Sequence, residues 1–155
     1  LRVPRHPAVQ TVASPDGAVA AGRLDNAVVD RDAADEFVGS WLEAWNNHDL
    51  EGILDHFAEG VVFSSPVAVR LIDGSDGVVR GKAALRDYWS EGLRRIPDLH
   101  FEVIDIYLGI NSLVINYRNQ NGGLVNEVLK FDGQLVIEGH GTYRSEPASS
   151  RPLAT

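Results

Sequence analysis

The feature that most constrains this chain is a change of periodicity: helical spacing in its first part gives way to strand alternation in its second. Phe37, Val38, Trp41, Leu42 and Trp45 recur at the spacing of one helix face. Asp32 can cap that helix, and Asn46-Asn47-His48 end it. Asp49 caps a second helix with Leu50, Ile53, Leu54 and Phe57 on one face, and Gly60 stops it. Val61-Val62-Phe63 predicts a short strand ending before Pro66, and Asp73-Gly74-Ser75-Asp76-Gly77 predicts a loop. Gly81 opens a third helix whose apolar face is Ala84, Leu85, Tyr88, Trp89 and Leu93, and Pro97 closes it.

Four strands follow: Phe101 to Leu108, Leu113 to Arg118, Leu124 to Phe131 and Gln134 to Arg144. Asn121-Gly122 and Asp132-Gly133 stand between them as hairpin turns. Three helices and a strand followed by an antiparallel meander predict an α+β fold. The expected shape is a cone: a curved, mainly antiparallel sheet packed on three N-terminal helices, with a pocket at the open end. The folded unit is placed at residues 30–145, between an irregular arm at 1–29 and a flexible tail at 146–155.

Charge and composition exclude several functions. Lys and Arg total 14 against 22 Asp and Glu, a formal net charge of -8. No basic cluster is present to follow a phosphate backbone, so nucleic acid is not an expected partner. The absence of cysteine excludes disulfides, thiolate zinc sites and a thiol nucleophile. No His pair has zinc-protease spacing, and the position where an EF-hand loop starting at Asp73 would need Glu is Ala84. Neither a metal nor a cofactor is therefore expected. No apolar run reaches the length of a membrane span, and the default compartment is the cytoplasm.

Trp41-Leu42-Glu43-Ala44-Trp45-Asn46-Asn47-His48-Asp49-Leu50, followed by Phe57-Ala58 and by Val61-Val62-Phe63 running to Pro66, resembles the opening of a SnoaL-like domain. Such domains belong to the nuclear transport factor two-like superfamily. Val79-Arg80-Gly81-Lys82-Ala83-Ala84-Leu85 resembles the start of that superfamily's third helix, and Glu127-Val128-Leu129-Lys130-Phe131-Asp132-Gly133 its last hairpin. The superfamily includes ketosteroid isomerase, polyketide cyclases, limonene epoxide hydrolase, dehydratases and non-catalytic domains, so the resemblance implies a fold and not one reaction. Set beside the isomerase, Ser65 stands where the general-base Asp would precede Pro66, and Trp41 where an oxyanion-hole Tyr would be. Phe57 and Trp89 replace two supporting tyrosines. Only Glu127 keeps an acid, where the isomerase has a protonated Asp. The isomerase mechanism is disfavoured on that comparison. The hydrolase's Asp-Arg-Asp arrangement is disfavoured too, because Arg118 lacks its flanking aspartates.

Glu127 shares strand parity with Val125, Leu129 and Phe131, which places a carboxylate on an apolar face. It is read either as a pocket acid or base of raised pKa, or as a structural carboxylate held by Arg118 or Tyr117. His140 is its candidate catalytic partner, provided that a bulge at Gly139 or Gly141 turns it inward; otherwise it is an ordinary, partly exposed histidine. Trp41, Phe57, Ser65, Tyr88, Trp89, Asn116 and Arg118 are the candidate ligand-binding residues. The alternatives are core packing for the aromatic residues and a solvated face for Asn116 and Arg118.

The expected function is a cofactor-free enzyme of isomerase, cyclase, dehydratase or hydrolase type acting on a small hydrophobic metabolite. The alternative is a non-catalytic ligand-binding or assembly domain. A homodimer is also expected through the outer sheet face: Leu113, Ile115 and Tyr117 read as a second apolar row, outside the core row of Val125, Leu129 and Phe131.

Overall fold

A computed structural model describes residues 30–145. The expected arm and tail lie outside the described residues. Helix α1 spans Arg31–Asn46, and its N-cap is Asp30 rather than Asp32. The short helix α2, Leu50–Leu54, is capped by the Asp49 carboxylate, which accepts from the Gly52 amide. Strand β1 runs Phe57–Ser64, α3 Pro66–Leu71, β2 Val78–Arg80 and α4 Lys82–Arg95. The meander follows as β3 Glu102–Leu108, β4 Ser112–Arg118, β5 Leu124–Asp132 and β6 Leu135–Tyr143. All six strands form one sheet in the order β2-β1-β6-β5-β4-β3. Only the β1–β6 pair is parallel. The fold is thus α+β with a curved, unclosed sheet, as the change of periodicity implies.

Two local expectations fail for physical reasons. Phe57 does not sit on the second helix. It opens β1 and pairs with Val136, while the Val136 amide donates to His56 O at 2.9 Å. A five-residue helix has little stability of its own, so the sheet ladder captures the chain straight after it. The stretch after Pro66 is helical where no helix is expected. Ser65 accepts from the Val67 amide, and Pro66 fills a first-turn position where no amide is needed.

The sheet register decides which side chains meet. Leu113 pairs with Leu129, Ile115 with Glu127, and Tyr117 with Val125, so both rows point to the same concave face. Leu113, Ile115 and Tyr117 are all at most 4% exposed and belong to the core. They are therefore not an outer apolar row, and the reasoning that drew a dimer from them does not hold. Exposed apolar side chains collect instead at the β3 edge, on Ile104, Tyr107 and Ile110.

A bulge in β6 sets the parity of the last strand. Lys130 pairs with Glu138 and Phe131 with Val136, so Ile137 has no opposite residue. Val136 is inward before the bulge, and Gly139 and Gly141 are inward after it. Gly139 lies beneath the core: a Cβ there would sit 2.8 Å from Phe63 Cδ2 and 3.2 Å from Leu129 Cδ2. Gly139→Ala is expected to destabilise the domain by about 1–3 kcal/mol, measured as a lower chemical-denaturation midpoint. An unchanged midpoint would show that the sheet opens freely there.

Candidate functional site

The helices do not fill the concave face. A cavity of about 240 Å³ remains between α1, α3, α4 and the inner face of the sheet. Its apolar walls include Trp41, Trp45, Trp89 and Phe101, together with Leu71, Ile96 and Leu99. The aromatic wall is one connected block. Trp41 stacks on Phe101 with ring centroids 5.8 Å apart, and Trp45 meets Trp89 edge to face at 5.1 Å. Asn46 fixes that wall, because its side-chain amide donates to Phe101 O at 3.0 Å and accepts from Phe101 N at 2.8 Å. His48 holds the preceding turn through Leu99 O at 2.9 Å.

The polar lining comprises Glu127, Ser65, Tyr88, Tyr117 and Tyr143, together with Arg70 and the Asn119-Gln120-Asn121 turn. Glu127 is 5% exposed, and Tyr117 Oη donates to its Oε2 at 3.3 Å. Loss of water around the carboxyl pushes its pKa up to about 7, and the Tyr117 bond only partly opposes this. Arg118 is not its partner, since that side chain points to the other face of the sheet. Burial raises the Tyr117 phenol well above its ordinary range, and the nearby Glu127 charge adds to the effect. Tyr88 is pushed up to about 12, mainly by burial and against a bond with Ser65. Tyr143 rises for the same leading reason, and its hydroxyl also interacts with Ser65. One carboxyl, three phenols and a serine hydroxyl thus share a largely apolar cavity.

Of the residues expected at the site, Trp41, Ser65, Tyr88, Trp89 and Glu127 line this cavity. Phe57 does not: it is buried beneath Trp89, with ring centroids 4.9 Å apart. Asn116 faces outward and donates to Asn126 Oδ1 at 2.8 Å, because it pairs with Asn126 on the outer side of β4 and β5. Arg118 lies on that outer side as well. His140 is also outward. The parity change falls at Ile137 rather than at the flanking glycines, and His140 is opposite outward-facing Val128. There it contacts Ser64 Oγ through Nδ1 at 2.5 Å and Glu138 Oε1 through Nε2 at 2.8 Å. It is not a partner for Glu127.

Sequence reasoning did not single out Tyr143 or Arg70 as cavity residues. Parity could have found Tyr143 once the bulge was known. Arg70 required the unexpected α3 helix, which brings it to the cavity mouth.

The sequence and fold match a known family. The SnoaL-like domain matches residues 38–148. The chain belongs to the SnoaL-like family. A SnoaL-like protein of unknown function from Burkholderia thailandensis is 39% identical, with a TM-score of 0.73, covering 77% of this chain and all of that one. A protein of unknown function with a cystatin-like fold from Methylobium petroleophilum is 16% identical, with a TM-score of 0.62, covering 81% and 84%. TerC, co-crystallised with polyporic acid, is 12% identical, with a TM-score of 0.61, covering 72% and 92%. These last two likenesses concern the fold alone. Among curated proteins, none matches this SnoaL-like chain. No helix among its described residues is long and apolar enough to cross a membrane.

Proposed function

We propose that this SnoaL-like protein is a cofactor-independent enzyme that moves a proton next to a carbonyl group in a small, mainly apolar cyclic molecule. Glu127 carries the reading: it is a carboxyl buried in an aromatic cavity, with a pKa of about 7. A general acid or base works best when its pKa lies near the working pH. The Glu127 carboxylate takes a proton from the carbon beside the carbonyl. The C–H electron pair forms the enolate double bond, and the carbonyl electrons move onto oxygen. The hydroxyls of Tyr88, Tyr143 and Ser65 supply hydrogen bonds to that oxygen. Protonated Glu127 then returns the proton to carbon or oxygen. Isomerases, cyclases and dehydratases share this first step, and the aromatic wall favours a planar ring system.

The probe is 2-tetralone in deuterium oxide, with exchange of its C1 protons followed by proton NMR. The protein is expected to speed exchange, with a rate that rises as pH passes through about 7 and then levels. Glu127→Gln is expected to lower the catalysed rate by about 100-fold or more. Binding of 2-tetralone without accelerated exchange would contradict the enzyme reading and support a ligand-binding domain.

A further inference from the structure

We propose that the natural ligand carries an anionic oxygen group, of the carboxylate class, and binds with that group at the cavity mouth on Arg70. The inference rests on the reading that the cavity is the substrate site, and adds which way the substrate lies and what charge it brings.

The cavity is polarised along its length. At one end Tyr117 and Glu127 are bonded to each other and almost fully buried. At the other, Arg70 is exposed at the end of α3. Tyr88 and Tyr143 lie between them. Each feels the charge of both Glu127 and Arg70, whereas Tyr117 is influenced by Glu127 and the other two tyrosines but not by Arg70. Exposure follows the same order: Tyr117 is 4% exposed, Tyr88 6% and Tyr143 42%.

Among the described residues that line the cavity, Arg70 is the only cation and Glu127 the only acid. The chain has a net charge of -8, which makes a lone cation at this opening a specific feature rather than part of a basic surface. Arg70 forms no ion pair with a described residue; Arg118 and Arg144 share that state, whereas Arg86 pairs with Glu51, and Arg94 and Arg95 with Glu91. A guanidinium held free beside hydroxyl donors suits a planar, two-oxygen anion, which it can grip with two parallel hydrogen bonds. Glu127 lies at the buried end of the cavity, away from that group. The apolar body of the ligand then lies along Trp41, Trp89 and Phe101, with its reactive carbon near Glu127.

The test is calorimetric titration with 2-naphthoate and with 2-naphthamide, a neutral molecule of nearly the same shape. Naphthoate is expected to bind about tenfold more tightly than the amide. Arg70→Gln is expected to abolish that preference while leaving amide binding unchanged, and Arg70→Lys to keep part of it. Arg70 is exposed and forms no ion pair with a described residue, so these variants should fold normally. Equal binding of the two probes to the unmodified protein, or a preference that survives in Arg70→Gln, would overturn the anion site and leave the cavity reading intact. Failure of both probes to bind would overturn the cavity reading and the anion site with it.

Discussion

Glu127→Gln should make the protein more stable than its parent above neutral pH, by up to about 3 kcal/mol, and should bring the two within about 1 kcal/mol of each other near pH 5. The folded carboxyl keeps its proton up to about pH 7, whereas the unfolded one releases it near 4.5. Between these values the folded state binds the extra proton. The group's contribution is fully present below the unfolded value and is lost as pH rises through the folded one. Glutamine has no proton to lose and keeps nearly the same size, so its stability does not fall in that window. Other carboxylates act in the opposite direction: Arg94 and Arg95 hold Glu91 down to about 2. Such effects are common to both proteins and cancel in the comparison. Urea denaturation at pH 5 and pH 8 reads the difference directly. Parallel midpoints at both pH values would mean that Glu127 is charged in the folded state throughout.

Trp41→Ala is expected to cost about 3–5 kcal/mol and to abolish probe binding. Trp41 is 1% exposed and touches three other aromatic rings: Phe101 at 5.8 Å, Tyr117 at 5.5 Å and Trp45 at 6.5 Å between centroids. Its loss removes the wall shared by the core and the cavity. The void merges with the existing space, and α1, pinned to Phe101 through Asn46, cannot close over it. Chemical denaturation measures the cost. A loss of less than about 1 kcal/mol would mean that α1 moves in to fill the gap.

The same two residues show how far the sequence can be read. Glu127 was legible because strand alternation is rigid: with Val125 and Leu129 inward, it had to be inward too. Trp41 was legible because its helix is long and strongly periodic. Cross-strand facing was not, since the parity of one strand does not say which of its faces meets its neighbour's core. Leu113, Ile115 and Tyr117 were therefore assigned to an outer face when they share the inner one. His140 would have faced inward only with a bulge at Gly139 or Gly141; the bulge lies before both, at Ile137, and His140 stays outward. Arg70 was hidden in a six-residue helix with no room for periodicity. Ser65 followed by Pro66 was its one signal, and it read equally well as the end of a strand.

The domain's chemistry depends on the protonation state of one carboxyl, and carbon-13 NMR can follow that carboxyl directly. The protein would be labelled at the side-chain carboxyl of glutamate, with the Glu127 signal assigned by its absence from Glu127→Gln. The account predicts a titration midpoint near 7, well separated from the exposed glutamates. A midpoint near 4.5 would contradict it, because Glu127 would then be an ordinary charged group at neutral pH and not a proton-transfer residue held ready in an apolar cavity.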